Sequence, residues 1–169
     1  LRLSPPNNDR LVRGDTFVKQ VGGAELNVAV GVALLGLRTG VISKLPSHDM
    51  GSFMKGKIRS YGVSDDFFMY DDSPSARVGI YYYENGAYPR KPKVIYDRAN
   101  SSFYSLKIDE IPEKAYTASR CFHTSGITLA LSPKVRETTI EMIKRFKAAG
   151  TLVSFDVNFR GNLWTGEEA

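Results

Sequence analysis

The sequence predicts an α/β fold, a mostly parallel sheet flanked by helices, with a small antiparallel β-lid. Three observations carry this. Strand-like and helix-like segments alternate along most of the chain, which is the signature of βαβ units. Residues 119–155 read as one complete unit of that kind, strand then helix then strand. In the middle the rhythm breaks, and two aromatic-rich runs follow each other with no helix between them.

The elements can be taken in order. The chain opens on Leu1-Arg2-Leu3-Ser4, a pattern that starts in mid-strand. Residues 23–35 form a helix apolar nearly all round (Ala24, Leu26, Val28, Ala29, Val30, Val32, Ala33, Leu34), as expected of a helix buried against a sheet. Gly36 stops it, and residues 39–43 read as a short strand. Asp49 caps a second helix that runs to Tyr61 and ends at Gly62. Residues 77–84 and 93–98 are the two strands of the lid, joined by the turn-rich Asn85-Gly86-Ala87-Tyr88-Pro89, and residues 9–19 add a further extended segment. Residues 120–123 are a buried strand. Ser132-Pro133 gives a cap with proline at the first helical position, opening a helix that Gly150 ends, and residues 151–155 are the next strand.

Length and composition fit one folded domain spanning residues 1–169, with lid segments 9–19 and 77–98 inserted in it. The 169 residues are 42% hydrophobic and 24% charged, enough for a sizeable core. No apolar run approaches the ~20 residues that span a bilayer, so no membrane partner is expected. The net charge of +5 is spread among interleaved acids, with Arg90-Lys91-Pro92-Lys93 the densest group. That argues against nucleic acid and suits an anionic small molecule. The single cysteine, Cys121, excludes an internal disulfide and a cysteine-based zinc site; it reads as a buried, inert thiol. These features favour a cytoplasmic location. His48 and His123 lack partners at metal-ligand spacing.

Three constellations carry chemistry. Gly22-Gly23 opens a helix, where free N–H groups face an anion and the backbone can approach a ligand closely; Asn27 lies one turn in. A tight strand-to-helix turn accounts for the glycines equally well. In the lid, Gly79, Tyr81 and Tyr83 share one face, as do Tyr96 and Arg98 on the next strand. Tyrosine planes and hydroxyls with an arginine fork suit a sugar acid, and cross-strand packing is the structural alternative. The third is Asp156-Val157-Asn158-Phe159-Arg160, after a buried strand, where open α/β sheets place their ligands. Alternation would point Asp156, Asn158 and Arg160 into one crevice, to orient a phosphate and stabilise a transferring phosphoryl group. Asp and Asn there also form ordinary turns.

Taken in order, Gly22-Gly23-Ala24 with Asn27, Ser43-Lys44-Leu45 through Asp49-Met50-Gly51, Gly62-Val63, Thr124-Ser125-Gly126-Ile127 and Asp156 to Arg160 resemble the ribokinase-like (PfkB-type) sugar kinases. Gly22-Gly23-Ala24-Glu25-Leu26-Asn27, residues 126–132 and Asn162-Leu163-Trp164 look more narrowly like the 2-keto-3-deoxygluconate kinases of that family. The resemblance implies a Rossmann-like core, a β-lid that serves homo-oligomer formation, and ATP- and Mg2+-dependent phosphorylation of a small sugar acid. It implies substrate contacts at Gly23, Ala24, Glu25, Leu26, Asn27, Tyr81, Tyr96, Arg98 and Arg160, and places Asn158 and Arg160 on the nucleotide-phosphate side, Arg160 as a stabiliser of phosphoryl charge. Asp97 stands where some members have a second aromatic residue. The family's Gly-Ala-Gly-Asp motif, which carries the general base, is absent, so that base is expected beyond Ala169 and the chain corresponds to the N-terminal half. Other sugar kinases of the fold (fructokinase, ribokinase) and a non-catalytic sugar-acid-binding or dimerisation fragment are the alternatives.

Overall fold

A computed structural model describes residues 1–167. The elements run β1 (Arg2–Ser4), β2 (Val18–Gln20), α1 (Ala24–Leu34), β3 (Ser43–Pro46), α2 (Asp49–Ser60), β4 (Phe68–Asp71), β5 (Ile80–Glu84), β6 (Lys93–Asp97), α3 (Lys114–Thr117), β7 (Cys121–Ser125), α4 (Gly126–Leu129), α5 (Pro133–Ala148) and β8 (Leu152–Asp156).

Local chemistry sets most helix boundaries. The Ser132 hydroxyl accepts the Val135 amide at the start of α5, with Pro133 in the first turn. Gly62 and Gly150 follow α2 and α5 at φ 78° and 80°, a left-handed conformation that a Cβ would oppose. At α2 the cap is His48 rather than Asp49: its Nδ1 accepts the Met50 amide, and Asp49 occupies the first helical position.

The strands form three groups. β3 pairs with β4 and β7 with β8, both in parallel, the second pair through the expected crossover α5. The lid is a four-stranded sheet in the order β2-β1-β5-β6, with β5 and β6 antiparallel. Only Val18–Gln20 of the 9–19 region becomes a strand; residues 9–17 form turns and loop. The strand expected at 39–43 sits further along, at Ser43–Pro46, because its ladder is set by β4; Gly40 contributes a single bridge to Ser64.

Two apolar clusters make the core. One gathers Leu26, Ala29, Leu45, Ile58, Val63 and Phe68 between α1, α2 and the β3–β4 pair. The other gathers Leu106, Ile111, Ala115, Tyr116, Met142 and Phe146, with Phe122 stacked on Phe146 at 4.1 Å. Ile42, Phe67 and Met69 reach the second cluster from the far side of β3–β4, so that pair is shared by both. Helix α1 buries one stripe only: Val28 and Leu34 are 42% and 80% exposed, against the all-round burial its composition suggested. Cys121 is likewise exposed, because it sits at the first position of β7 rather than deep in the strand.

Candidate functional site

Strand β2 runs through Val21 and Gly22 into the start of α1, and this turn stands over the lid sheet. Between them lies a cleft of ≈ 340 Å³ lined by Arg2, Gln20, Val21, Gly22, Leu26, Asn27, Val30, Tyr61 and Tyr81. Its walls differ in chemistry. Leu26 and Val30 from α1 supply an apolar side, while Arg2, Gln20, Asn27 and Tyr81 supply donors and acceptors. A second depression of ≈ 710 Å³ follows β8 past Ile143, Leu152 and Phe155; it is shallow and mostly apolar, with Lys147 and Thr151 its polar side chains.

Gly22 owes its identity to Tyr81: a Cβ there would collide with the Tyr81 hydroxyl. The ring of Tyr81 lies 6.2 Å from that of Tyr96, and the Arg98 guanidinium covers Tyr96 at 4.3 Å. Burial pushes the Tyr81 phenol above its ordinary pKa, against the pull of the Arg2 charge, so it remains a neutral hydroxyl. The lid residues singled out in the sequence are thus together on one face, and Asp97, on the other, pairs with Arg77 at 2.7 Å.

Glu25 turns away from the cleft. Its Oε1 accepts the Ser125 amide at 3.0 Å, the Ser125 hydroxyl at 2.7 Å and the Thr128 hydroxyl at 2.6 Å. The same carboxylate therefore ties the first turn of α1 to the end of β7 and the start of α4. Gly126 is held close there, since a Cβ would meet the Val157 carbonyl and the ring of Trp164.

The segment after β8 does not stay extended. The Asp156 carboxylate accepts the Asn158 amide at 2.9 Å, and Asn158 takes φ 38°. Asp156, Asn158 and Arg160 therefore do not share one alternating face, because the Asp–Asn turn replaces the strand geometry. Arg160 remains exposed, its guanidinium donating to the adjacent Phe159 carbonyl at 3.2 Å. Arg2 and Gln20 were not singled out by the sequence; only strand register brings them to the cleft.

The model of the pfkB family carbohydrate kinases matches residues 2–168. The chain belongs to this family. Over all 169 residues it is 39% identical to 2-dehydro-3-deoxygalactonokinase of Haloferax volcanii, of which it covers 52%. The crystal structure of 2-dehydro-3-deoxygluconokinase from Thermotoga maritima superposes with a TM-score of 0.92 at 38% identity, covering 99% of this chain and 51% of that one. An uncharacterized sugar kinase from Pyrococcus horikoshii, solved in complex with ATP, gives 0.84 at 26% identity, with 99% and 53% covered. The chain thus spans about half the length of the pfkB relatives it matches, and the cleft, the lid and the β8 exit all fall in that half.

Proposed function

We propose that this chain is the acceptor-binding half of a cytoplasmic sugar-acid kinase, which transfers the γ-phosphoryl group of MgATP to 2-keto-3-deoxygluconate (2-dehydro-3-deoxygluconate) or its galactonate epimer. The observation that carries this reading is the cleft between the Gly22 turn and the Tyr81–Tyr96 face, flanked by Arg98. It offers stacking planes, hydroxyl donors and a guanidinium to a small polyhydroxy acid. Leu26 and Asn27 line the wall that would face the sugar, and Gly23 and Ala24 belong to the turn that leads into it. A neutral sugar would leave Arg98 without an anion, which favours the acid over a fructokinase or ribokinase substrate.

For the nucleotide, Asn158 and Arg160 are the residues of this chain that fit. Both follow the carboxyl end of β8, Asn158 half-buried and Arg160 exposed, and Arg160 has no carboxylate partner among the described residues, so its charge is available to phosphate oxygens. In this reading the metal would arrive with the nucleotide phosphates that it bridges. The base that would deprotonate the acceptor hydroxyl lies in the family's Gly-Ala-Gly-Asp motif, which these 169 residues do not contain.

The lid's other face supports self-association. Phe17 packs edge-on against Tyr82 at 5.8 Å, and Phe17 and Ile95 are 41% and 45% exposed. A second copy of this chain, seated lid to lid, would cover them.

The test is a coupled assay with ATP and 2-keto-3-deoxygluconate. The protein extended to the length of its relatives should turn over, and the 169-residue chain alone should not, because positioning and charge stabilisation need nucleotide, metal and base held together. Turnover by the short chain that disappears in Arg160→Ala would overturn this division.

A further inference from the structure

One row of residues crosses the whole lid sheet. Gln20 on β2 is in register with Arg2 on β1, Arg2 with Tyr81 on β5, and Tyr81 with Tyr96 on β6. Residues in register project from the same face of a sheet, so all four face the Gly22 turn. Arg2, Gln20 and Tyr81 indeed line the cleft together.

Arg2 is a cation without a counterion. Among the described residues no carboxylate pairs with it, its Nε is buried without an acceptor, and its guanidinium stands 5.6 Å from the centroid of the Tyr83 ring. A guanidinium carries five donors, keeps its charge and is costly to leave unpaired when half-buried. Stacking on Tyr83 satisfies its π-face and none of its N–H groups. An oxygen-rich ligand in the cleft would satisfy them.

Arg98 lies at the other end of the same face. It stands beside Gly79, whose Cβ would meet the Arg98 Cβ at 3.2 Å, whereas Arg2 leans toward Tyr83. Positions 79 and 83 flank Tyr81 along the strand, roughly 13 Å apart at 3.3 Å per residue. The two arginines therefore stand against different rings of this face, Arg98 over Tyr96 and Arg2 beside Tyr83.

We propose that Arg2, with Gln20 beside it, is a specificity-determining contact that donates to the hydroxyl oxygens of the acceptor at the end remote from the carboxylate held by Arg98. The assignment rests on the sugar-acid reading. It makes Arg98 the reader of the charge common to all such acids, and Arg2 the reader of their stereochemistry.

Steady-state kinetics of the protein extended to its relatives' length separate the two. Arg2→Met should raise KM for the sugar acid roughly tenfold or more, the loss of one hydrogen bond from a charged donor, and leave KM for ATP unchanged. It should also shift the ratio of kcat/KM between the gluconate and galactonate epimers, with Arg2→Lys recovering part of both effects. Arg98→Met should weaken both epimers equally. A folded Arg2→Met enzyme, with thermal midpoint unchanged, that keeps both its KM for the acid and its epimer ratio would overturn the assignment. So would an Arg2→Lys enzyme as impaired as Arg2→Met with the epimer ratio unmoved, since that is the mark of a purely structural arginine. Failure of the unmutated enzyme to phosphorylate any sugar acid would instead overturn the reading on which the assignment rests.

Discussion

Glu25 and Ser125, separated by a hundred positions in the chain, are joined twice: one carboxylate oxygen of Glu25 accepts both the amide and the hydroxyl of Ser125. With the Thr128 hydroxyl as a third donor, this oxygen locks the turn before the cleft onto the β7–α4 corner. Glu25→Ala should destabilise the chain by about 3 kcal/mol, since three donors lose a charged acceptor, and Glu25→Gln by less because an amide oxygen still accepts. Denaturant unfolding checks this; equal stability of the alanine variant would show that the corner is held by other means.

Gly22 and Tyr81 form a steric pair. Gly22→Ala should displace the Tyr81 hydroxyl and raise KM for the sugar acid with little change in KM for ATP. The double variant Gly22→Ala/Tyr81→Phe relieves the collision, so its fold stability should return toward the parent while the hydroxyl's share of binding stays lost. A double-variant cycle on stability measures the coupling.

Arg98 is the proposed carboxylate contact. Arg98→Ala should raise KM for the sugar acid by a factor equivalent to about 2–5 kcal/mol if the pair is desolvated. The uncharged amide of the same acid should bind the parent and the variant alike. An unchanged KM for the acid removes Arg98 from the site.

Lys44 and Glu110 give the fold an acid limit. Lys44 is almost wholly buried and donates to Glu110 Oε1 at 2.6 Å. Burial pushes the Glu110 carboxyl up, but the Lys44 ammonium and the Lys107 amide pull it further down, leaving it below its ordinary value of 4.5. A depressed carboxylate contributes stability above its unfolded pKa and loses it as pH falls through the lower folded one. Unfolding midpoints should therefore be flat near neutrality and drop below about pH 4.5, and Glu110→Gln should flatten that drop while lowering stability at pH 7. An unaltered acid limb in the variant would exclude the pair as its source.

Self-association through the lid should respond to Ile95. Ile95→Asp places a charge on the face that carries Phe17 and Tyr82, and light scattering should then report a monomer under conditions where the parent is a dimer. A monomeric parent at high micromolar concentration counts against the interface.

Sequence alone reached the parts of this fold that local chemistry fixes. Ser132-Pro133, Gly62 and Gly150 mark helix ends because capping and positive φ are decided within a few residues. The lid hairpin was legible for the same reason, from two aromatic runs around a turn. Partner-dependent features were not. The ladder of β3 begins at Ser43 because β4 lies beside it, and β4 carries no pattern that announces it. Asp156 and Asn158 read as well for a strand as for a turn, and the Asp156–Asn158 hydrogen bond decided for the turn. Arg2 and Gln20 lie far apart in sequence from Tyr81, and only the β1–β5 and β1–β2 registers make them neighbours.

The β3–β4 pair behaves as a party wall. Leu45 and Phe68 lean into one cluster while Ile42, Phe67 and Met69 lean into the other, so neither side can be emptied without stripping the wall that holds up its neighbour. A slip of one residue in this register would send each strand's side chains to the wrong room. The amides of α1 and α5, which belong to different clusters, should accordingly exchange with solvent through the same opening event and at the same free energy. What looks in cross-section like two small cores is, for the purpose of coming apart, a single structure.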